Sequence, residues 1–79
     1  MIPDELRDIL VQTPDTLSGA VRFKGTRVPV QALLDTLIDG LPVSDFLEGF
    51  PNVTDAQAQA VVKWEQNEAR ARFGLERVA

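Results

Sequence analysis

A chain of 79 residues with no His and no Cys lacks the preferred ligands of structural zinc, a disulfide framework, a thiol nucleophile and an imidazole base, so catalysis is not expected. At this length one domain fits, and folding buries only about 60% of the surface that the unfolded chain exposes, so self-association or a partner is expected to complete a small core. With 8 basic against 12 acidic residues, the net charge of -4 argues against a generically basic nucleic-acid binder, although unevenly placed charge still serves one.

The chain opens on Met1-Ile2-Pro3-Asp4-Glu5, which has neither the basic start nor the apolar centre of a signal peptide. No apolar run approaches the roughly 20 residues that span a bilayer, so the expected setting is the cytoplasm, away from membranes. Pro3 with Asp4 and Glu5 behind it reads as a helical turn leading to residue 8. Ile9-Leu10-Val11, closed by the turn formers Gln12-Thr13-Pro14-Asp15, predicts a short strand. Ala20-Val21-Arg22-Phe23-Lys24 alternates with period two, which predicts a half-buried strand with Val21 and Phe23 inward and Arg22 and Lys24 outward. Gly25-Thr26 reads as a turn. In Arg27-Val28-Pro29-Val30 the proline removes a ladder donor, which restricts the stretch to a sheet edge or to the passage into a helix.

From Val30 the period changes. Val30, Leu33, Leu34, Leu37, Ile38 and Leu41 share one helical face, with Gln31, Asp35, Thr36 and Asp39 opposite and Gly40 placed as a left-handed C-cap. Beyond Pro42, the residues Val43, Phe46 and Leu47 line one side of a shorter helix that ends at Gly49. Thr54 with Gln57 three residues on matches a capping box, and Val53 with Ala58 a hydrophobic staple. Ala58, Val61, Val62 and Trp64 then continue as the buried face of a third helix, which stops near Phe73-Gly74. The expected fold is mainly α: a lead over 1–8, a β-ribbon arm over 9–30, a three-helix cluster of helix-turn-helix type over 31–73 and a tail over 74–79.

Charge divides by segment. Arg22, Lys24 and Arg27 stand within 22–30 without an acid, whereas 31–56 carries Asp35, Asp39, Asp45, Glu48 and Asp55 without a base. The basic stretch suits a phosphate-tracking arm, because Arg binds phosphate bidentately and phosphate contacts supply most non-specific affinity. The competing role is structural: Arg27 pairs with an acid such as Asp35 and Thr26 holds the turn. A helix-turn-helix would present Asp55, Gln57, Gln59 and Lys63 to a groove of DNA. Gln reads adenine through paired hydrogen bonds, Asp55 repels phosphate, and the plain alternative is a solvated helix face. The alternating arm invites pairing with the same arm of a second copy through Val21, Phe23, Val28 and Val30, giving a homodimer. Otherwise the ribbon folds back on its own helices. The tail interleaves Arg70, Arg72 and Arg77 with Phe73, Leu75 and Val78, a docking segment unless it is simply a solvated terminus.

Gly25-Thr26-Arg27-Val28-Pro29-Val30, then Leu33-Leu34, Leu37 and Gly40, then Phe46-Leu47-Glu48, Phe50-Pro51 and Val53-Thr54 together resemble one known pattern. It is that of the short prokaryotic proteins grouped as domain of unknown function 433. That pattern reads Gly-Thr-Arg-Ile/Val-Pro-Val, a leucine-rich helix ending in Gly, a short helix, an aromatic-Pro pair and a Leu/Val-Thr helix start. The resemblance runs without gaps over roughly residues 10 to 65. It implies a homeodomain-like tri-helical fold with an N-terminal β-arm. It also implies the role of a VapB-type antitoxin, which binds and inhibits a PIN-like ribonuclease toxin, binds its own operator DNA and needs no cofactor. In that setting Arg70, Arg72 and Arg77 would neutralise the carboxylates that hold the nuclease's metal, while Phe73 and Leu75 anchor the segment.

Two positions depart from the pattern. Pro42 stands where the family has a Ser N-cap, so the cap passes to Ser44 or the helix begins later. Ser18-Gly19-Ala20-Val21 replaces Gly-Gly-Lys-Pro, which removes a lysine from the arm. The alternative function is a DNA-binding transcriptional regulator with no toxin, and a third is an interaction domain detached from either system.

Overall fold

The computed structural model describes residues 2–75. The fold is mainly helical. A 3-10 turn at Asp4–Leu6, strand β1 (Leu10–Val11), a second 3-10 turn at Leu17–Gly19 and strand β2 (Arg22–Phe23) lead into helices α1 (Val30–Ile38), α2 (Val43–Gly49) and α3 (Asp55–Arg72). Among the described residues no helix is long and apolar enough to cross a membrane.

The two strands pair antiparallel, Leu10 opposite Phe23 and Val11 opposite Arg22. That register turns Leu10 and Phe23 to the interior, where they are 6% and 0% exposed. The other edge of β2 is also taken: the Phe23 N–H donates to the Val28 carbonyl at 3.0 Å, the Val30 N–H donates to the Val21 carbonyl at 2.9 Å, and Arg22 bridges to Pro29. The ribbon therefore does not project as an arm, and β2 has no free edge to lend to a second copy. Pro29 sits at the rim and N-caps α1, so helix begins at Val30, the last residue expected of the ribbon.

The Gly-Thr-Arg-Val-Pro-Val hexamer is the connection that makes this return possible. Gly25 takes φ +80°, and the Thr26 N–H and hydroxyl both donate to the Phe23 carbonyl, at 3.1 and 2.8 Å. The same hydroxyl oxygen accepts the Val28 N–H at 3.0 Å. The turn's polar groups are thus satisfied from within, as half-buried backbone requires.

Helix ends follow their local signals. At the end of α1, Gly40 (φ +83°) donates to the Leu37 carbonyl and Leu41 to the Thr36 carbonyl, at 3.0 and 3.1 Å, the paired bonds of a Schellman motif. Ahead of α3, Thr54 and Gln57 form the expected capping box, with bonds of 3.1 and 3.0 Å. The α2 start answers the question posed by Pro42: proline itself occupies the N-cap, no side chain caps the helix, and Ser44 lies within its first turn.

The core consists of Leu6, Leu10, Phe23, Leu33, Phe46, Val53, Ala58 and Val61. The Phe23 and Phe46 rings lie 5.8 Å apart and fasten the ribbon to α2, and Phe46 lies 5.1 Å from Phe50. One expectation fails here. Ile38 is 81% and Leu41 47% exposed. With Leu33 fully buried, Ile38 lies about 140° around the helix from it and faces solvent.

Candidate protein-binding surface

The three cations of the ribbon have different duties. The Arg22 guanidinium is half-buried, its Nε–H donating to the Thr26 carbonyl and its Nη1–H to Thr13 Oγ1, both at 3.0 Å. It clamps the 13–16 loop to the turn, and so is occupied rather than open to phosphate. Lys24 and Arg27 are exposed. The ion pairs among the described residues are Arg7–Asp4 at 2.9 Å and Arg72–Glu68 at 3.5 Å, so Arg27 does not pair with Asp35. Arg27, Gly25 and Asn52 border an open recess over the turn.

At the start of α3 the expected base-reading groups are engaged internally. Gln57 Oε1 completes the capping box while its Nε2 donates to the Lys24 carbonyl at 3.3 Å, and Gln59 Nε2 donates to Asp55 Oδ1 at 3.4 Å. Lys63 is exposed on the same helix. The Gln57 bond links positions 33 residues apart and sets the basic turn against the α3 start, a juxtaposition that no local pattern announces.

The expected dimer contacts are redistributed as well. Phe23 is fully buried within its own chain and offers a second copy no surface, because the ribbon is folded onto α2. Val21, Val28 and Val30 are half-buried against the same core. Val21 and Val30 also line an apolar groove of about 220 Å³, together with Ile2, Pro3, Leu6, Leu10, Leu34, Val61, Trp64 and Glu65. The lead segment forms one wall of it: Leu6 is buried against the body, and the Trp64 indole N–H donates to the Glu5 carboxylate at 3.2 Å. The sequence pattern marks residues 1–8 only as a lead. Ile2 and Leu6, apolar and four apart, were the signal that this turn packs.

Beyond Glu68 the last turns of α3 leave the body, and residues 69–75 are all exposed. Phe73 is 76% and Leu75 56% exposed, preceded by the exposed Arg70 and Arg72. This end is nonetheless well defined. Gly74 (φ +72°) donates to the Ala71 carbonyl at 3.2 Å and Leu75 to the Arg70 carbonyl at 2.8 Å, a second Schellman motif. Arg77 lies outside the described residues. Among the described residues no three acidic side chains gather as a metal site would need.

A family model described as "Protein of unknown function (DUF433)" matches residues 10–64. The chain belongs to this family. The crystal structure of a DUF433 member protein from Anabaena variabilis ATCC 29413 has the same fold, with a TM-score of 0.65 at 24% identity over 94% of this chain and 85% of that one. No curated protein matches the chain. The DUF433 match covers the ribbon, the hexamer and the first two helices and stops within α3 at Trp64. The lead that walls the groove and the projecting end of α3 therefore lie outside it.

Proposed function

We propose that the protein is a non-catalytic binding module of the antitoxin kind, which docks the end of α3 on a PIN-like ribonuclease and inhibits it. The observation that carries this reading is the projecting segment 69–75, where Phe73 and Leu75 stand exposed directly after the exposed Arg70 and Arg72. An aromatic and a leucine held on a capped helix end are anchors with little ordering entropy left to lose, and guanidinium groups beside them match a carboxylate-lined nuclease cleft. The test is co-expression with the product of the adjacent reading frame, followed by purification and a ribonuclease assay. The wild-type chain should co-purify and suppress cleavage, and Phe73→Asp with Arg70→Glu should lose both effects. Absence of a complex with the wild-type chain would end the antitoxin reading.

A second reading, a DNA-binding regulator with α2 and α3 as a homeodomain-like helix-turn-helix, is favoured by the Gln57–Lys24 bond, which sets the exposed cations Lys24 and Arg27 beside the α3 start. Those cations would track phosphates, with Lys63 as the side chain free to reach a base edge. Binding to the upstream DNA should weaken steeply with salt and on Lys24→Ala/Arg27→Ala. Binding insensitive to both would remove this reading.

A further inference from the structure

We propose that the apolar groove between the lead and α3 seats the end of α3 from a second copy of this chain, in a reciprocal two-fold dimer. The groove's size is the first reason. At about 220 Å³ it has room for one or two large side chains. Its lining is apolar apart from Glu65, and Glu5 stands at its edge bonded to Trp64.

The second reason is what the chain itself offers to fill it. Phe73, 76% exposed, caps a last turn of α3 whose residues are all exposed among the described residues. An isolated turn of helix is marginal in water, and an exposed aromatic on it gains most from a closed apolar seat. The groove lies beside Val61–Glu65, and Phe73 follows 8 to 12 residues later on the same helix, about 12–18 Å along its axis. Two α3 helices crossing antiparallel about an axis near Glu68 bring each Phe73 alongside the other copy's groove. The contact is isologous and closes at two copies.

Charge order is the third reason and selects the direction. Glu65 and Glu68 precede Arg70 and Arg72 along α3. Antiparallel crossing sets Arg72 of one copy against Glu65 of the other, and the same pair recurs across the axis. Parallel crossing would oppose like charges. The surface is read from the groove and from α3 alone, so it stands whether or not a nuclease competes for Phe73.

The test is light scattering on the full chain, with the charges reversed one at a time. The wild type should show twice the 8.7 kDa chain mass. Glu65→Arg and Arg72→Glu should each weaken self-association by roughly tenfold or more, since each creates two like-charged contacts. Mixing those two variants should restore the dimer, because the heterodimer regains both opposite-charge pairs, a result that a folding defect in either variant would not give. Phe73→Asp should leave a single-chain mass with an unchanged helical circular dichroism spectrum. A wild-type mass of one chain at millimolar concentration would overturn the proposal. So would a dimer indifferent to Phe73→Asp, or a mixture that stays monomeric. The nuclease reading is judged separately by co-purification, so either one fails without the other.

Discussion

The ribbon around residues 20–30 and the end of α3 are written in a similar alphabet, basic side chains set beside a Phe and aliphatic residues, yet the molecule uses them in opposite ways. In the ribbon the aromatic is fully buried against Phe46, and the Arg22 guanidinium is bonded to Thr26 and Thr13. At the end of α3 the aromatic is 76% exposed and Arg72 reaches no further than Glu68 on its own helix. A basic and apolar stretch is therefore not a binding surface by composition. It becomes one where the fold leaves its hydrogen-bonding and burial capacity unused, which here means the end of α3 rather than β2.

The largest effect that probes this contrast comes from truncating the two aromatics. Phe23→Ala should destabilise the chain by about 3–5 kcal/mol, because it opens a cavity between ribbon and α2 in a core of few side chains. Phe73→Ala should change the stability of the single chain by less than about 0.5 kcal/mol, since its ring is 76% exposed. Urea unfolding at concentrations below any self-association measures both. Equal losses would dissolve the distinction between the two regions.

A smaller effect separates the cations. Arg22→Ala removes two half-buried donors, leaving the Thr26 carbonyl and the Thr13 hydroxyl to find other partners, and should cost about 1–3 kcal/mol. Arg27→Ala and Arg72→Ala, at exposed positions, should stay within about 0.5 kcal/mol. The same denaturation series decides this, and a costly Arg27→Ala would mean that Arg27 belongs with the structural residues.

What could be read from the sequence follows from the range of the interactions. The Thr54–Gln57 capping box, the stops at Gly40 and Gly74 and the Gly25-Thr26 turn are closed by partners within five residues, so their residue types announce them. The Arg22 clamp on Thr13, the Gln57 bond to Lys24 and the Trp64 bond to Glu5 span 9, 33 and 59 residues, and depend on where the helices come to rest. The groove is of this second kind: its walls come from the lead, the ribbon, α1 and α3, each with two or three ordinary apolar residues. Ile38 shows the converse limit. It fits the apolar period of α1, but periodicity gives the direction of a face and not its width, and only packing against α2 decides that Ile38 stays outside.

The finest test uses one substitution at two sites of equal geometry. Gly40 and Gly74 both hold a Schellman motif, at φ +83° and +72°, and at neither would an added Cβ meet any atom within 4 Å. Gly→Ala therefore carries the same local cost at each, about 1 kcal/mol, from the left-handed backbone alone. Gly40 joins α1 to α2, two helices packed on each other, so relaxing its turn disturbs the core and the cost should appear in global unfolding. Gly74 closes a stretch, 69–75, whose residues are all exposed, so its motif opens locally and global stability should move by no more than a few tenths of a kcal/mol. Hydrogen exchange at the Leu75 amide, which donates to Arg70, should instead speed up on Gly74→Ala. If a second copy covers this end, that amide should regain protection in the wild type as concentration rises, and Gly74→Ala should then lower overall stability in the dimer while leaving the single chain as it was.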